Sequence, residues 1–89
     1  MTSVWVVAES RFEWYEIKHI CSNEKTARIL WDKLRLEFIK RNQEMVKYCN
    51  ETNSSPEPWS RDITLLHNMN PGDSPQCDYP DLKEWVVKG

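Results

Sequence analysis

The chain has 89 residues, of which 39% are hydrophobic and 29% are charged, and its formal net charge at pH 7 is −2. This length allows one domain, residues 1–89, and a composition with a mean hydropathy of −0.74 excludes disordered and membrane-embedded chains. Two glycines and five tryptophans exclude collagen-like and Gly-rich chains and concentrate apolar burial in a few large side chains.

The first 21 residues predict a β-hairpin that spans residues 4–21. Residues 4–8, Val-Trp-Val-Val-Ala, are β-branched or aromatic and are too few for a helix. Residues 15–21 follow as a second strand, whose alternation places four side chains on one face: Tyr15, Ile17, His19 and Cys21. The connection between the strands has no Asn-Gly or Asp-Gly pair, so the turn type stays open.

A long amphipathic helix is predicted over residues 24–49. Ser22 or Asn23 can accept hydrogen bonds from the free amides of the first turn, and neither Gly nor Pro interrupts the segment. Apolar residues recur every three or four positions and form one stripe: Ala27, Leu30, Trp31, Leu34, Phe38, Met45 and Cys49. Ile29 and Leu36, seven residues apart, form a second and smaller strip on the opposite side.

The predicted helix is longer than the predicted strands. Its 26 residues span about 39 Å at about 1.5 Å per residue, whereas strands of five to seven residues span about 17–24 Å. The distal half, residues 40–49, must therefore extend past the sheet, break near Arg41, or be covered by the C-terminal segment.

The C-terminal half predicts a loop, a turn and further strands. Residues 50–60 are polar and contain two prolines, which is typical of a loop. Residues 62–67 predict a third strand, residues 70–73 (Asn-Pro-Gly-Asp) a type II turn, and residues 82–87 a last strand. The fold class is therefore α+β, with a small antiparallel sheet of three to four strands packed on one long amphipathic helix.

Residues 4–40 carry a resemblance to known proteins. A Val-Trp-Val-Val strand, a Tyr-Glu-Ile strand and the helix opening Cys-Ser-Asn-Glu-Lys-Thr-Ala (21–27) resemble small phage and bacterial accessory domains of strand-strand-helix-strand type. The resemblance implies an accessory protein, often phage-encoded, that acts on a host enzyme or defence complex in the host cytoplasm. It brings no catalytic residues with it, and the Pro-rich segment beyond residue 50 departs from the pattern.

The cysteines and histidines favour neither a metal site nor catalysis. Three widely spaced cysteines, with no long apolar segment near the N-terminus, predict a reduced, cytoplasmic protein without a signal peptide. Zinc sites usually carry ligands that are paired in sequence. The candidate ligands are His19, Cys21, Cys49, His67 and Cys77, and only His19 and Cys21 are close to each other. Cys77 with His67 is the best nucleophile–base pair, but nearby Asp73 and Asp78 raise a thiol pKa. We therefore expect no metal, no cofactor and no enzymatic activity.

Charge is divided unevenly along the chain. Residues 24–50 carry seven basic and four acidic side chains, whereas residues 51–89 carry three basic and seven acidic ones. The basic side chains are spread around the predicted helix and interleaved with acids, which is typical of a solvated face rather than a nucleic-acid groove. A small nucleic-acid-binding regulator that uses the basic helix is therefore the alternative function.

The favoured function is stoichiometric protein–protein binding without catalysis. A helix that outreaches its sheet leaves apolar surface for a partner, and the same surface favours a homodimer. Loop aromatics add anchors of large area. The predicted partner-binding residues are Trp14, Ile29, Leu36, Phe38, Ile39, Met45, Val46, Tyr48 and Trp59. With the resemblance, this predicts an inhibitor of a host enzyme or host-defence protein, whose acidic residues 51–89 could mimic nucleic-acid charge.

Overall fold

The computed structural model describes residues 2–87, which form five elements: β1 (Thr2–Arg11), β2 (Trp14–Cys21), α1 (Glu24–Glu51), α2 (Glu57–Asn68) and β3 (Tyr79–Val87). The three strands form one antiparallel sheet in the order β2–β1–β3, so the N-terminal strand is central. The predicted α+β class, with a long helix on a small antiparallel sheet, is confirmed, and the sheet has three strands.

The predicted hairpin is present, and its strands are longer than the sequence pattern indicated. Only Phe12 and Glu13 connect β1 to β2. Glu13 adopts a φ of 61°, in the left-handed region, and the Phe12 amide donates to Asp78 Oδ1 at 3.2 Å. This hydrogen bond joins the hairpin tip to the segment that leads into β3.

A register shift in β2 changes which of its residues share a face. Val7 lies opposite His19, but the next residue, Ala8, lies opposite Ile17. Lys18 is therefore an extra residue in β2, as in a β-bulge, and the alternation of side chains is displaced by one position at that point.

The predicted grouping of β2 side chains is wrong for this reason. The prediction put four side chains on one face: Tyr15, Ile17, His19 and Cys21. The shift leaves His19 and Cys21 on the helix side of the sheet, while Tyr15 and Ile17 point to the opposite side. Ile20, which lies opposite Val6, joins them there.

Helix α1 is a single rod without a break. The side chain of Asn23 caps it by accepting a hydrogen bond from the Thr26 amide at 2.8 Å. The helix continues past Arg41 to Glu51, where the Thr52 amide donates to the Tyr48 carbonyl at 3.1 Å. At about 1.5 Å per residue its 28 residues span about 42 Å, and the chain is elongated, with extents of 56 × 24 × 18 Å.

The hydrophobic core lies between α1, α2 and one face of the sheet. It comprises Val7, Cys21, Ala27, Trp31, Leu34, Phe38, Ile39, Leu66, Met69 and Leu82. The indole N–H of Trp31 donates to the Pro80 carbonyl at 2.8 Å, so this large buried side chain also has its polar atom paired.

The predicted strand at residues 62–67 is wrong, because these residues lie in helix α2 (Glu57–Asn68). Pro58 stands in the first turn of α2, where a backbone N–H has no partner within the helix, so proline is tolerated there. Trp59, Ile63 and Leu66 follow at steps of four and three, which is helical spacing. The predicted loop of residues 50–60 is correspondingly short, since five residues, 52–56, separate the two helices.

Helix α2 returns along α1 and covers one side of it. Arg35 Nη1 on α1 donates to the Leu66 carbonyl at 3.3 Å, and the Leu66 side chain is fully buried. The chain then turns through residues 70–73, where the Asp73 amide donates to the Asn70 carbonyl at 3.0 Å and Gly72 has a φ of 93°. Both features agree with the predicted type II turn, whose third residue requires a positive φ.

Candidate interaction surfaces

Two of the predicted partner-binding residues are core residues. Phe38 and Ile39 are each 4% exposed and belong to the hydrophobic core. Phe38 packs toward the sheet, and helix α2, which the sequence interpretation placed as a strand, supplies the cover on the neighbouring side of α1. In this structure both side chains are therefore part of the core rather than of the surface.

The other predicted residues are accessible to different degrees and do not form one surface. Exposed side chains are Trp14, Ile29, Leu36, Met45 and Tyr48, and partly buried ones are Val46 and Trp59. Ile29 and Leu36 lie on the solvent side of α1 with the exposed Lys33 between them along the helix. Single apolar side chains of this kind are common on protein surfaces and do not indicate a site by themselves.

A buried carboxylate with three cations lies at the hairpin end of α1. Glu9 is 2% exposed, and its oxygens lie 2.6 Å from Arg11, 3.2 Å from Lys18 and 3.5 Å from Arg41. Burial alone raises the pKa of Glu9, but hydrogen bonds and charge from Arg11 and Lys18 outweigh it and lower that pKa below its ordinary value. Lys18 is the residue in the bulge, so the register shift in β2 lies at a cation of this cluster.

The cations at this end stack on aromatic rings and leave little open space. The Arg11 guanidinium lies 5.1 Å from the Trp14 ring centre and 5.6 Å from that of Phe38, and Arg41 lies 5.3 Å from Phe38. The adjoining cavity has a volume of about 130 Å³, whereas small-molecule sites usually occupy about 300–1,000 Å³. We therefore interpret this cluster as a structural clamp between the hairpin and α1.

The opposite side of the sheet forms a second surface, which we call the open sheet face. Because residues directly opposite in neighbouring strands point the same way, the register assigns the following side chains to it: Thr2, Val4, Val6, Ala8, Ser10, Tyr15, Ile17, Ile20, Asp81, Lys83, Trp85 and Val87. Both helices pack on the other side or on each other, so no helix among residues 2–87 covers this face.

The open sheet face has a buried centre and an exposed apolar perimeter. Val6 and Ala8 of the central strand are fully buried beneath their neighbours. Ile17 and Tyr15 are each 43% exposed, Trp85 46% and Ile20 64%. Large apolar side chains held on strands, above a buried layer, form a rigid surface of the kind that protein interfaces use.

Charge on this face is nearly cancelled by an internal pair. Tyr15 Oη donates to Asp81 Oδ2 at 2.8 Å, and Lys83 Nζ lies 3.4 Å from the same oxygen and 5.6 Å from the Tyr15 ring centre. Burial, with the hydrogen bond to Asp81 and its charge, raises the pKa of Tyr15 to about 12. The face therefore carries one anion and one cation that are already paired.

The sequence motif nominated for nucleophilic catalysis lacks an activated thiol. Burial, followed by the charges of Asp62 and Asp78, raises the pKa of Cys77 to about 11, so at neutral pH the side chain is the poorly nucleophilic thiol rather than the thiolate. Within residues 2–87, no three His, Cys, Asp or Glu side chains lie close enough together to hold a metal ion.

The sequence pattern does not predict the open sheet face, although most of its residues lie in segments that are predicted as strands. The alternation in β2 predicts that Ile17 shares a face with His19 and Cys21, and residues 82–87 are predicted only as a last strand. The register shift at Lys18 and the path of α2, which the sequence does not reveal, leave these side chains uncovered.

The described part of the chain also contains no helix that is long and apolar enough to cross a membrane. Comparison with known proteins finds no matching family model, no matching curated protein and no matching solved structure.

Proposed function

We propose that this chain is a non-enzymatic interaction protein that binds a protein partner stoichiometrically through the open sheet face. The observation that carries the proposal is the one-sided arrangement of the fold, in which both helices leave one side of a three-stranded sheet without cover. Tyr15, Ile17, Ile20 and Trp85 remain 43–64% exposed there.

The chemistry of the face favours a protein over a nucleic acid. Specific protein interfaces concentrate aromatic and aliphatic side chains at their centre and exclude unpaired charge. Nucleic-acid binding requires several cations directed at phosphates, whereas the register places one cation on this face, Lys83, which is paired with Asp81. On α1, Arg28 and Arg35 likewise pair with acids of the same helix, at 2.8 Å and 2.7 Å.

The proposal includes inhibition of a host enzyme or host-defence protein as its mode of action, on the strength of the resemblance of residues 4–40 to phage and bacterial accessory domains. A non-enzymatic inhibitor acts by covering a surface that its target needs. The open sheet face is suited to covering such a surface. Mimicry of nucleic-acid charge by residues 51–89 has less support. Asp73 and Asp78 accept hydrogen bonds from backbone amides of their own chain, and Asp81 is buried.

A paired substitution tests the proposal. Ile20→Glu places a charge on the open sheet face, and Ile29→Glu, the matched control, places the same charge on the solvent side of α1 at similar exposure. Wild-type and variant chains are immobilised, exposed to lysate of the native host, and the retained protein is purified and titrated calorimetrically against each chain.

We expect one protein to bind wild type and Ile29→Glu with one-to-one stoichiometry and to bind Ile20→Glu at least tenfold more weakly. Equal binding by all three chains would place the interface elsewhere and contradict the proposal. Retention of DNA or RNA that nuclease treatment removes, and that Ile20→Glu leaves unchanged, would instead favour the nucleic-acid alternative.

A further inference from the structure

The two outer edges of the sheet differ in how they are protected. Edge strands expose unpaired backbone groups, and proteins usually protect them with bulges, prolines or inward-pointing charges. The edge strand β2 has the register shift at Lys18, whose side chain points inward to Glu9. Strand β3 pairs with β1 over nine residues, Tyr79–Val87, without a shift, so its outer edge is regular.

Only the C-terminal part of the β3 edge is free. Pro80 has no N–H to offer, and its carbonyl already accepts the Trp31 indole. Pro80, Asp81 and Leu82 are buried, whereas all five residues from Lys83 to Val87 are exposed. We call Lys83–Val87 the free edge segment.

We propose that the free edge segment pairs with the same segment of a second copy of this chain, in antiparallel register centred on Trp85. This inference goes beyond the proposed function and does not depend on it. Two antiparallel edges related by a twofold axis perpendicular to the sheet extend it from three strands to six.

Charge disfavours the registers centred on Lys83 or Glu84, and the number of residues paired within Lys83–Val87 favours Trp85 over Val86 and Val87. Residues directly opposite must lie on the same face, so the axis passes midway between one residue and its own copy, which face each other. An axis at Lys83 or Glu84 would place like charges directly opposite each other, which destabilises strand pairing. An axis at Trp85 pairs the two indoles, places Lys83 opposite Val87 and Glu84 opposite Val86, and uses all five residues of the free edge segment.

The pairing has two consequences for the molecule. It covers the exposed Val86 and the unpaired backbone groups of β3, which otherwise favour unspecific association. Because the twofold axis is perpendicular to the sheet, both open sheet faces lie on the same side and form one continuous surface. The interface is small, so we expect a reversible dimer populated at concentrations on the order of 100 µM.

Charge reversal at the centre of the pairing tests the proposal. Trp85→Lys and Trp85→Glu each place like charges opposite each other in a homodimer, whereas an equimolar mixture places opposite charges there. Sedimentation equilibrium of the full chain, from about 10 µM to 1 mM, measures dimerisation of wild type, of each variant and of the mixture. Circular dichroism establishes that both variants are folded.

We expect wild type to dimerise, each variant to be monomeric, and the mixture to recover at least half of the dimer. Ile20→Glu and Ile29→Glu serve as controls and are expected to dimerise like wild type. A wild type that stays monomeric at 1 mM, or a mixture that stays monomeric while both variants are folded, would overturn the proposal. Loss of the dimer in Ile20→Glu would instead assign it to contact between open sheet faces, and loss in Ile29→Glu to contact between helices.

These outcomes are separate from those of the partner-binding test. A chain that dimerises through β3 but binds no host protein retains this inference and loses the proposed function. A monomeric chain that binds its partner through Ile20 retains the proposed function and loses this inference.

Discussion

Glu9 is a buried carboxylate whose burial is outweighed by neighbouring cations. A carboxylate removed from water is unfavourable by itself, and in this chain Arg11, Lys18 and Arg41 compensate for the lost hydration. The three cations come from β1, β2 and α1, so one buried anion connects three elements. A neutral residue at this position would leave the cations without their common partner.

We therefore expect Glu9→Gln to lower the free energy of unfolding at pH 7 by about 2 kcal/mol. The pKa of Glu9 is lowered by folding from its ordinary value of 4.5, so the stability that its ionised form contributes is present above pH 4.5. That contribution is lost as the pH falls through the lowered value of the folded protein.

Urea unfolding of wild type and Glu9→Gln at pH 7 and at pH 3 measures both effects. The difference between the two proteins should shrink at the lower pH, because pH 3 lies below the ordinary pKa of 4.5, where the stability contributed by ionised Glu9 begins to be lost. Glu16→Gln is the matched control, since Glu16 also contacts Lys18 but is 41% exposed in its side chain. A difference that is the same at both pH values would contradict the assignment of the effect to charge.

Helix α2 is the element that determines which side of α1 is exposed to solvent. Its Leu66 is fully buried and belongs to the core, and Arg35 of α1 donates to the Leu66 carbonyl. Ile39 lies off the sheet-facing stripe of α1, four positions after Arg35, and is buried in the same core cluster as Leu66. The part of α1 that extends past the sheet is therefore one half of a helical hairpin rather than a free rod.

Leu66→Ala removes the central apolar contact of this hairpin. We expect a loss of about 2–5 kcal/mol in the free energy of unfolding, which is the usual range for leucine truncation in a core. Leu65→Ala, a neighbouring substitution at a partly buried position, should cost less than half as much. Urea unfolding measures both, and equal losses would mean that residues 62–67 present a different face to α1 from the one described.

The sequence predicted elements that depend on local signals and failed where long-range contacts decide. Helix α1 follows from the Asn23 cap and an uninterrupted apolar stripe, and the 70–73 turn follows from Pro71 and Gly72. Residues 62–67 are β-branched enough to resemble a strand, and Pro58 was interpreted as a helix breaker although it stands in the first turn of α2. The bulge at Lys18 brings this side chain to Glu9 of another strand, and no local pattern in β2 reveals it.

At the scale of the whole molecule, the binding surface predicted from the sequence and the one proposed from the structure are on different sides. The sequence pattern correctly indicated a helix longer than the sheet, and it placed the partner on that helix. Helix α2 covers part of that helix, while one face of the sheet is left uncovered by both helices. An amphipathic pattern identifies which residues are apolar, but the packing of the remaining elements decides which of them reach solvent.

The two faces of the sheet should therefore differ in their contribution to stability. Ile17→Thr with Ile20→Thr changes two exposed residues of the open sheet face to polar residues that also favour strands. We expect the free energy of unfolding to change by less than about 1 kcal/mol. Leu82→Ala, on the helix side of the same sheet and 6% exposed, should cost about 2–5 kcal/mol.

The same double variant should gain solubility, because an exposed apolar patch promotes association. Unfolding by urea and the ammonium sulfate concentration at which each protein precipitates measure the two properties side by side. Stability near the wild-type value with a higher precipitation point is expected if the isoleucines serve a surface contact. A loss of stability as large as that of Leu82→Ala would mean that Ile17 and Ile20 belong to the folding core, and would contradict the proposed role of the open sheet face in binding.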